Sequence, residues 1–390
     1  MEYFINQISA MNIAIDVRAL MHGKTSGVEI YIKNLLKNLF ESDSENQYFL
    51  YYNAFNDVSK NIPSFDFSNV QTLSTKYPNK LFNIFLSLFR YPKLDKLLGK
   101  ISKTKIDFFL VPDPRPTPVS QKCSKITVVH DLSFLRYRKT FSLKTRIWHK
   151  LLKLKKELKE SAKILCVSRF TELEVFKEFP FCKGKTLVEY AGVPEGIERI
   201  LDKKKLEYVR EKYNLPEKFY LTLSTLEPRK NLSKLVESFQ EWKKETNEEE
   251  KLVVAGISNT KLFAKTSLIE SDPNIVFPGF IDEKDKSTLY SLAEAFFFVS
   301  LYEGFGFPLL EAKKCGLPII CSQTSSMPEV AGERGVFFVN PLEEESIREG
   351  FKRVKNIKFD LDNIQKKTEF KKFQWGNLVK TLQEKIFIVE

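Results

Sequence analysis

Short apolar runs alternate with longer amphipathic segments along most of the chain. The runs are rich in β-branched and aromatic residues and carry few charges, which is typical of buried strands. The longer segments repeat their apolar positions every three or four residues, as helices do. This alternation predicts an α/β protein with parallel sheets. Strands are predicted at residues 11–16, 47–52, 106–111, 126–129, 164–168 and 186–190, and again at 219–223, 251–255, 274–277, 296–300, 317–321 and 335–339.

Amphipathic helices are predicted between these strands. The first follows a glycine-containing loop and covers about residues 28–40, and a second, with a wide apolar face, covers 80–98. For the second helix, packing in the core and contact with a partner or lipid surface both remain open. The residues before it, up to about residue 79, are rich in Pro, Asn and Ser and predict a loop, as do residues 325–332.

The length and composition narrow the class of protein. At 390 residues the chain exceeds the size at which one core usually divides, so two domains are expected. Its 43% hydrophobic and 29% charged residues are typical of a globular protein and exclude a disordered one. No uncharged apolar run approaches the roughly 18 residues that span a bilayer, and we expect no signal peptide. The five cysteines are scattered without metal-ligand spacing, which indicates a reducing cytoplasm.

The net charge of +12 is concentrated in one segment. Between Arg136 and Lys163 there are eleven Lys or Arg against two Glu, a net charge of +9 in 28 residues. Such a segment attracts phosphates of nucleic acid, of a membrane surface or of a substrate. Within it, residues 142–161 predict a basic amphipathic helix, which either lies on an anionic membrane or packs its apolar side in the core. Because no basic-aromatic binding motif accompanies the charge, nucleic acid is not an expected partner.

The segment from Tyr302 to Glu311 carries the clearest candidate chemistry. It follows the predicted strand 296–300 and has two glycines in three positions, then Pro308, which suits the first turn of a helix. A helix N-terminus at the end of a strand is a natural anion site. Two carboxylates, Glu303 and Glu311, could bind sugar hydroxyls there. Alternatively both are solvated and the glycines only turn the chain.

Three further groups of residues follow predicted strands. Arg229 and Lys230 precede a helix and suit a diphosphate, because Arg binds in a fork and Lys as a point charge. His130 and Asp131 follow the strand 126–129, at the strand end where ligands bind in open parallel sheets, and the carboxylate could hold the imidazole tautomer or its charge. Gly27 ends the first loop, which either approaches a ligand or only connects two elements.

Taken together, these motifs resemble glycosyltransferase family 4, which comprises retaining enzymes of the GT-B fold. Each motif alone is weak, but their order and spacing match the family over nearly the whole chain. The matching segments are Ser26–Tyr31, Val129–Leu132, Cys166–Ser168, Glu227–Asn231, Glu303–Glu311, Met327–Gly332 and the closing Phe373–Trp375.

The resemblance implies an architecture of two Rossmann-like domains with parallel sheets that face each other across a cleft. Residues 1–195 would form the N-terminal domain, which binds the acceptor. Residues 196–372 would form the C-terminal domain, which binds the nucleotide sugar. Residues 373–390 would form a helix that returns to the N-terminal domain.

The resemblance also implies roles for individual residues. Arg229 and Lys230 would neutralise the donor diphosphate, whose charge grows as it leaves, so no metal ion or other cofactor is expected. Glu311 would bind the ribose hydroxyls, and Glu303 would contact the transferred sugar. The backbone of four neighbouring residues would help to bind the donor: Gly304, Phe305, Gly306 and Phe307.

Two roles fall in the N-terminal domain. His130 would contact the sugar or the developing oxocarbenium ion, and Gly27 would let the first loop approach the donor. The chain departs from the family pattern at Ala191-Gly192, where Asn-Gly is usual, and this departure concerns only a local turn. The end of the first loop also departs from it, because the single Gly27 is followed by Val28 and Glu29 instead of small residues.

The expected activity is retaining transfer of a hexose from a nucleotide sugar to a glycan or lipid-linked acceptor in surface polysaccharide assembly. Mannose from GDP-mannose is favoured over sugars from UDP donors. A nucleotide-sugar epimerase or a phosphorylase on the same fold is the alternative. The expected location is the cytoplasm, with attachment through residues 142–161 to the inner face of the membrane as a further hypothesis.

Overall fold

The computed structural model describes residues 10–23, 26–138, 141–256, 272–357 and 370–388. These residues divide into two compact units. The first takes the described residues of Met1–Phe134, Phe141–Gly192 and Phe373–Glu390, and the second takes those of Leu135–Thr140 and Val193–Lys372. The structure therefore divides the chain after Gly192, whereas the sequence predicts a division after residue 195.

The described part of the first unit is built on a sheet of seven parallel strands in the order β3-β2-β1-β4-β5-β6-β7. The strands are β1 (Asn12–Asp16), β2 (Gln47–Asn53), β3 (Val70–Thr75), β4 (Phe108–Val111), β5 (Ser124–Val129), β6 (Lys163–Cys166) and β7 (Thr186–Val188). The helices before the division are α1 (Gly27–Ser42), α2 (Asn79–Ile84), α3 (Leu94–Ser102), α4 (Ser133–Arg136), α5 (Leu143–Leu152), α6 (Leu154–Glu160) and α7 (Arg169–Glu178). Helix α2 continues directly into a π-helix, Phe85–Phe89.

The predicted loop before residue 79 is wrong in part, because it contains β3. This strand pairs only with β2, so it lies at the edge of the sheet. Of its side chains only Leu73 and Thr75 are buried, and the others are polar or partly exposed. An edge strand that buries so little lacks the apolar run by which the other strands were predicted.

The two long helices predicted in the first unit are each broken into two. The predicted helix 80–98 ends at Arg90, whose φ of 53° is left-handed, and resumes as α3 after Pro92. Proline disfavours a helical conformation of the residue before it, which explains this break. The predicted helix 142–161 divides into α5 and α6 at Lys153, which also has a positive φ of 51°.

The C-terminal segment belongs to the first unit. It consists of α14 (Trp375–Thr381) followed by a π-helix, Leu382–Ile386, and α14 packs against α1. The rings of Trp375 and Tyr31 meet edge to face at 5.4 Å. A Cβ atom on Gly192 would lie 2.4 Å from Trp375 Cδ1, so only glycine fits beside this ring. Thr381 donates a hydrogen bond of 2.7 Å to Glu189.

The described part of the second unit is built on six parallel strands in the order β10-β9-β8-β11-β12-β13. The strands are β8 (Phe219–Leu223), β9 (Lys251–Ala255), β10 (Ile275–Val276), β11 (Ala295–Phe298), β12 (Ile319–Ser322) and β13 (Val336–Val339). The helices are α8 (Lys203–Lys212), α9 (Leu232–Glu245), α10 (Lys286–Leu292), α11 (Phe307–Lys314), α12 (Met327–Ala331) and α13 (Glu344–Arg353).

Aromatic side chains dominate one side of this second sheet. Phe297 on β11 stacks on Phe351 of α13 with ring centroids 4.1 Å apart, and Trp242 of α9 packs on the same ring. The predicted loop 325–332 is wrong in part, because it contains the short helix α12. Pro328 lies in the first turn of this helix, where its missing N–H has no cost, and Gly332 ends it with a φ of 65°.

Within the described residues, no helix is both long enough and apolar enough to cross a bilayer.

Candidate active site

The carboxyl ends of β8 and β11 lie side by side in the second sheet, because these strands pair in parallel. The segment after each strand carries residues predicted to act on the donor. Ligands of open parallel sheets bind at this edge. The fold thus brings the Arg229 and Glu303 segments to one place.

A short 3-10 turn, Pro228–Lys230, holds the two cations. It ends at Asn231, whose φ of 58° is left-handed and lets α9 start in a new direction. The Asn231 side chain donates hydrogen bonds to the carbonyls of Val299, at 3.2 Å, and Pro341, at 2.7 Å. The N–H of Leu301 in turn donates to the carbonyl of Arg229 at 2.7 Å. These bonds join the two loops.

The carboxylate of Glu303 lies between the two cations. Arg229 Nη1 is 2.8 Å from one of its oxygens, and Lys230 Nζ is 2.6 Å from the other. Burial alone would raise the pKa of Glu303, but the nearby Lys230 and Arg229 outweigh it and hold the pKa below its ordinary value. The sequence assigns these residues to different parts of the donor, and the structure makes them one ion-pair cluster.

Three residues that we did not single out for a role support this cluster. Glu227 accepts a hydrogen bond of 2.8 Å from Arg229 Nε, which orients the guanidinium. Ser325 Oγ accepts from the N–H of Glu303 at 3.1 Å. The buried Ser326 hydroxyl lies 3.0 Å from the carbonyl of Glu303 and 2.8 Å from that of Phe305. In the sequence, only the position of these residues in or beside the matching motifs could have indicated this supporting role. Small polar residues after a strand are also common in turns that have no function.

The glycine turn leads into α11 as predicted. Gly306 has a φ of 107°, which side-chain-bearing residues rarely adopt, and it immediately precedes the helix. Pro308 lies in the first helical turn, and the rings of Phe305 and Phe307 meet edge to face at 5.2 Å. All four residues from Gly304 to Phe307 are buried. Their role as backbone donors to a ligand stays a prediction.

Glu311 lies inside α11 and is buried. Its Oε2 accepts a hydrogen bond of 2.8 Å from the hydroxyl of Tyr290, and its Oε1 is 3.8 Å from Lys286 Nζ. Burial raises the pKa of Glu311, and the more distant Lys286 only partly opposes this. The carboxylate thus has a protein partner where the resemblance implies ribose hydroxyls. That ribose contact stays a prediction.

His130 follows β5 in the first unit, as predicted. Its Nε2 is 2.7 Å from the carbonyl oxygen of Pro112, and because a carbonyl only accepts, Nε2 carries a hydrogen. Its ring meets Tyr31 edge to face at 4.8 Å. The hypothesis that Asp131 holds the tautomer is wrong, since that carboxylate accepts from the N–H and hydroxyl of Ser133.

Gly27 also lies in the first unit, as the first residue of α1. The preceding Ser26 caps this helix, and its hydroxyl accepts a hydrogen bond of 3.2 Å from the N–H of Glu29. Lys24 and Thr25 of the same loop lie outside the described residues. A contact of Gly27 with the donor stays a prediction, as does the contact of His130 with the sugar.

In the part of the chain that the structure describes, no three His, Cys, Asp or Glu side chains are grouped as metal ligands would be. The absence of a metal requirement stays a prediction.

Burial shifts the pKa of other groups in the protein. The described cysteines are buried thiols, and burial raises the pKa of Cys182 to about 11. The Tyr290 hydroxyl that donates to Glu311 also has its pKa raised by burial and by that carboxylate.

Comparison with known sequences finds one family model and several curated proteins that are similar to this chain. Residues 205–374 match the family model of glycosyl transferases group 1. Over 220 residues the chain is 31% identical to O-antigen chain mannosyltransferase B of Escherichia coli, and the alignment covers 54% of this chain and 56% of that protein. Over 251 residues it is 23% identical to O-antigen chain mannosyltransferase RfbU of Salmonella typhimurium, covering 61% and 66%. The chain spans 24% of serotype-specific mannosyltransferase WbdA of Escherichia coli.

Solved structures share the fold over nearly the full length. Sucrose-phosphate synthase from Thermosynechococcus elongatus aligns with a TM-score of 0.70 at 16% identity, covering 96% of this chain and 98% of the other. WaaG, a glycosyltransferase involved in lipopolysaccharide biosynthesis, aligns with a TM-score of 0.64 at 11% identity, covering 96% of both chains. The fold is therefore the GT-B fold that the sequence predicts. Residues 205–374 are similar to the group 1 glycosyltransferases.

Proposed function

We propose that the protein transfers a hexose from a nucleoside diphosphate sugar to a glycan or lipid-linked acceptor in the assembly of a surface polysaccharide. The match of residues 205–374 to the family model of glycosyl transferases group 1 supports the reaction class. Mannose is the favoured sugar, because the relatives from Escherichia coli and Salmonella typhimurium carry the name of mannosyltransferases of O-antigen chains.

The observation that carries this proposal is the cluster of Arg229, Lys230 and Glu303 at the carboxyl edge of the second sheet. Glu227 and Glu303 pair with the two cations, so their charges balance before a ligand binds. A diphosphate supplies acceptor oxygens that suit both cations. When it binds, it shares the donors of Arg229 and Lys230 with these carboxylates.

In the transfer step the bond between the sugar and the diphosphate breaks, and negative charge accumulates on the departing phosphate oxygen. Arg229 and Lys230 are already oriented by Glu227 and Glu303, so they stabilise this charge without rearrangement. The lowered pKa of Glu303 keeps it ionised at neutral pH. It therefore accepts hydrogen bonds from sugar hydroxyls and does not act as a proton donor.

Retention of the anomeric configuration is part of the proposal, through a front-face reaction in which the acceptor attacks on the side that the diphosphate leaves. A double displacement would need a carboxylate free to attack the anomeric carbon. The carboxylate of Glu303 is engaged by two cations, and that of Glu311 by Tyr290. Nuclear magnetic resonance of the product tests this point, since an inverted anomeric centre would contradict it.

A transfer assay with radiolabelled GDP-mannose, UDP-glucose and UDP-galactose tests the reaction itself. We expect label from one donor in a polysaccharide or lipid-linked product. Label released from the donor without any glycosylated acceptor would overturn the proposal in favour of an epimerase or a phosphorylase. Thermal unfolding with GDP, UDP and ADP identifies the base beforehand, because a ligand that binds only the folded protein raises its stability.

Variants of the cluster tie the activity to the proposed site. Lys230→Met removes a cation that lies 2.6 Å from Glu303, and we expect transfer to fall by at least about 100-fold. Lys234→Met is the matched control, because Lys234 is a cation on α9 that pairs with Glu344 at 3.1 Å. Equal activity of the two variants would mean that the diphosphate binds elsewhere.

A further inference from the structure

One apolar stripe of the first unit is left exposed on α2 and the π-helix that continues it. The exposed side chains recur at intervals of three and four residues, which places them on one side of the helix. Phe82 and Leu86, on the other side, are buried in the core. Phe89, at the end of the stripe, is 66% exposed. The exposed members are Leu81, Ile84, Phe85, Leu88 and Phe89.

A second exposed stripe lies on α5. Leu143, Ile147 and Trp148 are exposed there, and Leu143 is 72% exposed. In the next helix, α6, the apolar residues Leu154 and Leu158 are buried. Core packing and surface exposure, the two interpretations of residues 142–161, therefore apply to different halves. The second half, α6, packs in the core, and the first half, α5, presents its apolar side to the surroundings.

The two stripes lie on neighbouring helices. The hydroxyl of Ser87, in the π-helix, donates a hydrogen bond to the carbonyl of Leu151 in α5. The buried Arg90, which ends the π-helix, forms ion pairs with Glu157 and Glu160 of α6. We call the exposed apolar side chains of α2, the π-helix and α5 together the docking surface.

The two segments that carry the docking surface contain basic residues and no acidic ones. The sequence has no Asp or Glu from residue 76 to 94 or from residue 136 to 156. Exposed lysines lie in both segments: Lys76, Lys80, Lys144 and Lys150. A soluble monomer rarely leaves such contiguous apolar side chains uncovered. A second copy of this surface would bring like charges together, which disfavours self-association.

We propose that the docking surface inserts into the headgroup region of an anionic lipid bilayer. Apolar side chains flanked by Lys and Arg are the features by which amphipathic helices bind at a membrane interface. Each lysine near an anionic surface strengthens binding about fivefold. The proposal rests on the first unit alone and does not depend on the proposed reaction.

Flotation of the full chain with lipid vesicles tests this surface. We expect binding to vesicles of phosphatidylcholine and phosphatidylglycerol in equal amounts, and little binding to phosphatidylcholine alone. Leu143→Ser should weaken binding about tenfold. Leu342→Ser is the matched control, because Leu342 is 70% exposed in the second unit. Its binding should be unchanged.

Two charge-reversal variants test the electrostatic contribution to membrane binding. The double substitution Lys144→Glu and Lys150→Glu should weaken binding by at least about 25-fold, since each lysine contributes about fivefold. The control reverses Lys203 and Lys204, exposed lysines of α8 in the second unit, and should bind as the wild type does. Circular dichroism of each variant checks that it folds.

Tryptophan fluorescence gives a measurement that needs no variant. Trp148 is exposed on α5, whereas Trp242 and Trp375 are buried. We expect anionic vesicles to shift the emission to the blue and to protect Trp148 from a water-soluble quencher. Three results would overturn the proposal: no binding to either vesicle, equal binding to neutral and anionic vesicles, or equal losses for Leu143→Ser and its control. A dimer in light scattering that Leu143→Ser dissociates would assign the surface to a second copy.

Discussion

Replacing Glu303 by Gln removes one negative charge from between Arg229 and Lys230 and keeps the shape of the side chain. The side chains of these two cations are 15% and 12% exposed, so water reaches them only in part. Lys230 loses the carboxylate 2.6 Å from its amine, while Arg229 keeps Glu227 at 2.8 Å. The variant therefore removes the carboxylate that pairs with Lys230 and one of the two carboxylates that pair with Arg229.

The expected loss of stability lies between two limits. Removing one partner of a fully buried ion pair costs about 3–5 kcal/mol, and removing an exposed one costs about 0–1 kcal/mol. Because the cations are partly exposed and Arg229 keeps a partner, we expect about 2–3 kcal/mol for Glu303→Gln. For a unit of this size, that loss lowers the midpoint of thermal unfolding by about 4–12 °C.

Glu311→Gln, in α11, should act in the opposite direction. The pKa of Glu311 is raised, so its folded form holds the proton more tightly than the unfolded form does. The contribution of Glu311 to the stability of the wild type therefore falls as the pH rises from about 4.5 through the folded pKa. Glutamine cannot ionise and can still accept the hydrogen bond from Tyr290. At neutral pH, Glu311→Gln should be as stable as the wild type or more stable.

For Glu303 the sign is reversed. Its pKa is lowered, so the ionised form is favoured in the folded protein and its stabilisation is fully present above pH about 4.5. That stabilisation is lost as the pH falls through the folded pKa. Unfolding by heat and by urea, measured near pH 7 and then towards pH 5, compares the two variants. Equal losses for Glu303→Gln and Glu311→Gln at neutral pH would refute the electrostatic reasoning.

Three further predictions concern the turn after β12, the C-terminal helix and the metal requirement. Ser326→Ala removes the hydroxyl that bonds the carbonyls of Glu303 and Phe305, so we expect the free energy of unfolding in urea to fall by about 1–3 kcal/mol and kcat to fall as well. Unchanged values would mean that other contacts hold the turn. Gly192→Ala places a Cβ 2.4 Å from Trp375 and should destabilise the first unit by about 1–3 kcal/mol, whereas Gly184→Ala, in open space, tests the cost of a positive φ alone. Transfer activity should survive dialysis against EDTA, and a loss that Mg²⁺ or Mn²⁺ restores would contradict metal-free stabilisation of the diphosphate.

The strands of both sheets were predictable because a strand buried on both faces needs a continuous apolar run. Phe219–Leu223 shows this in full, since the predicted and observed bounds agree and all five residues are buried. The same rule explains why the strand Val70–Thr75 was not predicted. An edge strand half exposed to solvent has no such run, so its pairing with β2 is visible only in the folded sheet.

The candidate site was predictable as separate motifs and not as an arrangement. Glycine turns and strand ends predict where Glu303, Arg229 and Lys230 lie along the chain. They do not predict that Glu303 pairs with both cations, which are 74 and 73 residues away in sequence. The prediction that Asp131 holds the tautomer of His130 was wrong for the same reason. Asp131 is the neighbour of His130 in sequence, but the imidazole contacts the carbonyl of Pro112, 18 residues away.

The sequence by itself determined most of the order of strands and helices and the identity of the charged groups, because these follow from local spacing, and the resemblance of its motifs to a known family implied the GT-B fold. Tertiary structure decided which apolar faces are covered. Residues 80–98 and 142–161 have similar patterns along their length, yet Leu86 and Leu158 are in the core while Phe89 and Leu143 are exposed. Periodicity identifies an apolar face, but only the packing of other elements against that face determines whether it is buried.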